Sequence, residues 1–284
     1  MSTASELAVP AGPAPAPAPA GHRAPKGSVR RTFLFILWRD IFVTGREIVP
    51  FLAQAVVEPF LTLFVFGKVL TKVGYLGHGF DQVLLPGVVA LTCFLVALQN
   101  TAFPLIVDFS FTREIDDRLL SPIPLGLVAV EKLLFGAIRG LMGAALMIPI
   151  GFLLLSGVHW PASSVLPIAG VLVLGSLAGA ALGLWIGTAL EPRQISIMIA
   201  VILVPLMFTG CAQFPWTALA GVRPFQVICC LNPLTYVSEG MRAILLPRAQ
   251  VHSIPLWLDL GVLAVATVAF GILSIRGFRK RALG

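Results

Sequence analysis

Arg113, Glu114, Asp116, Asp117 and Arg118 place five charges within six residues of a chain in which only 12% of residues are charged. Mixed charge at that density suits ion pairing with a protein surface or plain solvation, since one turn of helix would splay it all round the axis. The cluster sits in Asp108 to Lys132, DFSFTREIDDRLLSPIPLGLVAVEK, a segment too charged for a lipid core although apolar runs flank it on both sides. Its Ser-Pro-Ile-Pro at Ser121 to Pro124 stops any helix, because each proline lacks an amide donor and pushes the preceding residue toward extended geometry. The reading is a short charged helix, a break and a re-entry into apolar sequence. It is either a solvated loop or an element with a protein partner.

Glu58 is a carboxylate about eight residues into the first long apolar run, with Gln54 one turn before it. An ionisable group inside a membrane segment is by default a pathway or proton-coupling candidate. The alternative is a shallow anchor near the inner interface, bonded to Gln54 or to Arg139, and one isolated acid favours the anchor. Further along, Asn232 before Pro233 is a helix-start signal, a capping side chain followed by the position proline prefers. Tyr236, Glu239 and Arg242 follow on that helix, Glu239 and Arg242 reading as a local ion pair three residues apart rather than as a binding site.

Bond-breaking chemistry has no motif here. The sequence contains no Gly-x-x-x-x-Gly-Lys-Ser/Thr phosphate loop, no His-Glu-x-x-His and no Gly-x-Ser-x-Gly, so no catalytic residues are assigned. His78, His159 and His252 fall singly in connections, where solvation outweighs metal binding. Cys93, Cys211, Cys229 and Cys230 lack metal-ligand spacing, so neither a metal site nor a disulfide framework is expected.

The elements that must carry these residues belong to an all-α membrane protein. With 57% hydrophobic residues, and a charged share half the usual figure of about 25%, the 284-residue chain is too apolar for a soluble domain. Its net charge of +7 gathers at membrane boundaries, which excludes a nucleic-acid partner in favour of the positive-inside pattern. Residues 1 to 28 carry the tract PAGPAPAPAPAG, expected to be an extended, disordered tail rather than a cleavable signal. Residues 29 to 47 read as an amphipathic helix lying in the interface, with Leu34, Leu37, Trp38, Ile41 and Phe42 on the apolar face.

A crossing needs about 20 apolar residues, and six runs qualify: roughly Pro50 to Leu70, Val83 to Val107, Leu133 to Leu155, Val165 to Leu190, Ile195 to Ala212 and Leu256 to Ile275. Kinks are expected at Pro59, Pro104, Pro149, Pro167 and Pro205. Gly175, Gly179 and Gly183, every fourth residue of the fourth run, predict close approach of another helix. Fifteen of the 20 basic residues, including Arg113, Arg118, Lys132, Arg139, Arg276 and Lys280, fall on the side of the termini, and five, among them Lys68 and Lys72, on the other. That asymmetry puts both termini and Asp108 to Lys132 in the cytoplasm. Gln213 to Pro255 is apolar but broken by prolines, so it is expected to dip into the outer leaflet and return, with Pro233 to Leu246 a short helix at the outer interface.

Three pieces resemble the ABC-2 type transport permeases, the membrane subunits of ATP-driven exporters: FTREIDDRLLSPIPLGLVAVEK, GCAQFPW and LNPLTYVSEGMRAIL. With the interfacial start, the six spans and the basic C-terminus the resemblance covers residues 29 to 284. It implies a separate ABC ATPase subunit that binds ATP and magnesium, no cofactor in this chain, and a second permease copy, identical or not. It further implies that Arg113, Glu114, Asp116, Asp117 and Arg118 form the coupling helix seated on the ATPase. Drugs, lipids, natural products or glycans, drawn through or from the bilayer, are the cargo such a subunit exports across the cytoplasmic membrane. A secondary, ion-coupled transporter is the competing class and would need internal repeats, which are not evident. A purely structural membrane subunit is the other.

Overall fold

The computed structural model describes residues 31–108 except 32, 36, 40, 43–47, 76 and 78, then 125–155, 157–247 and 253–283. Every regular element among these residues is helical. That is what a chain this apolar requires in lipid, where each backbone amide and carbonyl must be satisfied within its own segment. Described residues between Arg31 and Phe42 are helical, with Leu34, Trp38 and Phe42 exposed and Leu37 and Ile41 half-buried.

Helix α1, Ile48–Thr62, runs on through a π-helical segment, Leu63–Val69, into Leu70–Lys72. It covers the first expected span. Helices α2 (Phe80–Val107), α3 (Leu125–Leu154) and α4 (Val165–Ala189) follow. Next come α5 (Pro192–Thr209), α6 (Arg223–Cys230), α7 (Pro233–Leu245) and α8 (Leu256–Leu283). Five of these, α2, α3, α4, α5 and α8, hold stretches long and apolar enough to cross a membrane.

Helix α2 is the axis of the molecule. It packs against α4, α3, α7 and α1, and Leu84 to Leu98 are buried without a break. A helix apolar on every side belongs in the middle of the bundle. Helix α4 lies along it because Gly179 and Gly183 present no side chain: a Cβ at either would strike the carbonyl oxygen of Phe94 or Leu98 on α2. Gly175 does the same for Val237 of α7. The expected small-residue seam is therefore real, and it faces two helices rather than one.

Two helix boundaries differ from the expected spans. The third span was expected from Leu133, but α3 begins at Leu125, directly after Pro124, and carries Glu131 and Lys132 inside the helix. Charge stops a span from lying in lipid; it does not stop a helix. The fifth was expected to reach Ala212, whereas α5 ends at Thr209. Within it, Met198–Leu203 is π-helical just before Pro205, whose ring crowds the carbonyl of Val201 and which donates no amide, so the turn widens there. Helix α7 is short and interior: Pro233 to Arg242 are all buried, and the helix packs on α4, α2 and α8.

Candidate functional site

Helix α5 stops at Thr209 and, like any helix, leaves its last carbonyls without intrahelical donors. The chain beyond turns at Gly210 and Cys211, and Cys211 has φ of 50°, the only positive value at a non-glycine among the described residues. Side chains of α7 bind this turn in sequence. Asn232 Nδ2 donates to Leu206 O at 2.7 Å and to Thr209 Oγ1 at 2.9 Å. Thr235 Oγ1 lies 3.1 Å from Thr209 O, and Ser238 Oγ donates to Gly210 O at 3.0 Å. Arg242 Nη1 and Nη2 donate to Cys211 O and Ala212 O, each at 2.7 Å. Residues 232, 235, 238 and 242 recur every third or fourth position, so they share one face of α7 and read the turn carbonyl by carbonyl.

The same helix fixes itself at its start. Asn232 Oδ1 accepts the amide of Leu234 at 2.9 Å, the cap that Asn232 and Pro233 signalled. Tyr236 OH donates to Cys230 O at 2.7 Å, which holds the end of α6 against α7. Trp216 Nε1 and Gln226 Nε2 exchange hydrogen bonds with each other's backbone carbonyls, closing the 3-10 turn Trp216–Gly221 onto α6.

Glu239 and Arg242 form the expected ion pair, Arg242 Nη1 to Glu239 Oε1 at 2.9 Å, but both side chains are 0% exposed. Arg242 Nε reaches across to Val83 O of α2 at 3.1 Å, and Glu239 Oε1 also accepts the amide of Trp216 at 3.0 Å. A guanidinium suits this place because its planar fork can serve several carbonyls and a carboxylate at once. Burial pulls Arg242 below its ordinary value and the Glu239 carboxylate pushes it back up. Gly87 of α2 makes the room: a Cβ there would collide with Ala212 O and with Arg242 Nη2. Asn232, Thr235, Ser238 and Arg242 spend their donors chiefly on backbone carbonyls. The arrangement is a brace joining the end of α5, the start of α2 and helix α7.

Asp259 of α8 stands beside the brace, 0% exposed, with its Cβ facing Gly240 of α7. Neither of its oxygens, nor Glu239 Oε2, accepts a hydrogen bond among the described residues. Sequence reasoning passed over Asp259. The signal applied to Glu58, a carboxylate inside an apolar run, would have found it.

A second polar place lies between α1, α2 and α3. Arg139 Nη1 donates to Asn100 Oδ1 at 2.6 Å, and its guanidinium sits over the rings of Phe135, at 4.6 Å, and Phe51, at 5.5 Å. Asn100 in turn donates to Val96 O at 2.8 Å. Glu58 is exposed on α1, and Gln54 lies one turn earlier on the same helix. At the far ends of α2 and α3, Lys132 Nζ and Asp108 Oδ2 pair at 3.6 Å. That pair clasps the two ends of the segment carrying Arg113, Glu114, Asp116, Asp117 and Arg118, which itself lies outside the described residues.

Comparison with known proteins agrees with this architecture. A family model described as ABC-2 type transporter matches residues 31–246. The chain is similar to the inner membrane transport permease YadH of Escherichia coli (strain K12), 30% identical over 226 residues, covering 76% of this chain and 84% of that one. It is also similar to the putative transport permease ycf38 of Cyanophora paradoxa, 24% identical over 263 residues, covering 87% and 88%.

Proposed function

The chain belongs to the ABC-2 type transporter family, and on that premise we propose that it is the permease half of an exporter, driven by ATP that a separate subunit hydrolyses. The family match is the observation that carries this reading; it makes the chain a multi-pass transport permease with an ABC ATPase as partner. The outward direction, and a cargo of drug, lipid, natural-product or glycan type, are the finer parts of the proposal. An apolar, adaptable lining is all such cargo needs.

In this reading Arg113, Glu114, Asp116, Asp117 and Arg118 dock on the ATPase, with ATP and magnesium held there and not in this chain. The Asp108–Lys132 pair supports it, since a push on the intervening segment would reach α2 and α3 together. A second permease copy completes the pathway. The bare face of α5 supports that: only 11% of its apolar stretch is buried, against 83% for α2, and Ile197, Val201, Val204 and Phe208 point away from the chain's own core.

The test is the double variant Glu114→Lys with Asp117→Lys, assayed in the complex with its ATPase. Removing charge pairs at a docking surface costs about 2 to 5 kcal/mol where they are buried. The variant should insert normally, yet lose ATPase copurification and cargo-stimulated hydrolysis. Wild-type assembly and transport would strip the segment of its coupling role.

A further inference from the structure

At the end of the bundle opposite Asp108 and Lys132, a cleft of about 550 Å3 opens between the last turns of α1, the start of α2 and the end of α3. Lys68 and Lys72, four residues apart, stand on one wall, and Phe152 to Leu155 form the other. Gly79, Asp81 and Gln82 also line the cleft. Neither lysine has an ion-pair or hydrogen-bond partner among the described residues, while Asp81 Oδ1 accepts the neighbouring Gln82 amide at 3.0 Å. Two ammonium groups against one self-engaged carboxylate leave the cleft cationic.

The walls are as informative as the charges. Leu153 is 89% exposed and Phe152 is also exposed, so an apolar surface runs out of the cleft beside the cations. Lys68 and Lys72 stand in the last, mostly apolar turns of α1, Leu63–Lys72, which sets them where hydrocarbon gives way to headgroups. A ligand that satisfies both walls carries a compact negative charge attached to a chain of methylenes. The geometry points to an anionic phospholipid, its phosphate between Lys68 and Lys72 and an acyl chain along Phe152 and Leu153. The cleft lies away from the brace of α7, and its occupancy does not depend on the direction or cargo of transport.

The experiment is native mass spectrometry of the full chain with its ATPase partner, released from nanodiscs of phosphatidylcholine with or without phosphatidylglycerol. Phosphatidylglycerol should stay bound in preference to phosphatidylcholine, and Lys68→Gln with Lys72→Gln should weaken its retention by roughly tenfold or more, the effect expected of two basic groups at an anionic headgroup. Lys68→Arg with Lys72→Arg, which keeps the charge, should retain it, and Arg223→Gln, a base outside the cleft, should leave it unchanged. Elution of each variant at the position of the parent complex guards against misfolding. The proposal fails if the glutamine pair binds phosphatidylglycerol as the parent does, or if the parent shows no preference between the two lipids. It also fails if inorganic phosphate displaces the lipid completely, which would make the cleft a site for the free anion.

Discussion

Arg242 is the residue on which the brace turns, since one side chain serves three carbonyls and a carboxylate without any exposure to solvent. Arg242→Ala leaves Glu239 buried without its cation, a change that typically costs about 3 to 5 kcal/mol. The expected result is a large drop in melting temperature in detergent, with poor recovery of folded protein. Arg242→Lys should lose most of the same stability, because one ammonium cannot reproduce the fork. Asp259→Asn has the opposite expectation. No described group donates to the Asp259 carboxylate, so replacing it with a neutral amide of the same size should leave the melting temperature unchanged or raise it. A fall as large as that of Arg242→Ala would mean that Asp259 has a donor outside the described residues.

At the scale of elements, the contact of α2 with α4 depends on two glycines whose absent side chains admit a carbonyl. Gly179→Val should force the helices apart at Phe94, an overpacking effect of about 1 to 3 kcal/mol. Gly170→Val, on the same helix but with open space around it, should be tolerated. Melting temperatures of the two variants, measured side by side, check the pair. The periodicity of Gly175, Gly179 and Gly183 was readable in the sequence because small residues every fourth position share a face whatever they meet. That Gly175 meets α7 and not α2 was not readable. Likewise the start of α3 at Leu125 escaped a reading based on lipid tolerance, since Glu131 and Lys132 mark where lipid ends and not where hydrogen bonding ends.

For the whole molecule, the basic residues define a side. Fifteen against five predicts that residues 1 to 49, 108 to 132 and 276 to 284 face the cytoplasm. A cysteine placed at Ala282 or at Asp117 should therefore resist an impermeant thiol reagent in intact cells and react after permeabilisation. Labelling in intact cells would invert the molecule, and with it the assignment of the α7 brace to the outer end.

Composition alone determined that the chain is a helical membrane protein, because no soluble core could absorb so many apolar residues and no lipid-exposed backbone could stay unpaired. Residue order determined the start of α7, since a cap followed by proline acts within one turn, and the pairing of Glu239 with Arg242, which one helix face imposes. What the sequence left open was decided by packing. The apolar stretches of α2 and α5 are alike in kind, yet one is 83% buried and the other 11%, because hydropathy measures distaste for water and does not distinguish lipid from protein. The brace was hidden for a related reason. Its partners are backbone carbonyls at residues 83, 206, 209, 210, 211 and 212, which every sequence possesses, and only the tertiary structure brings them to one face of α7.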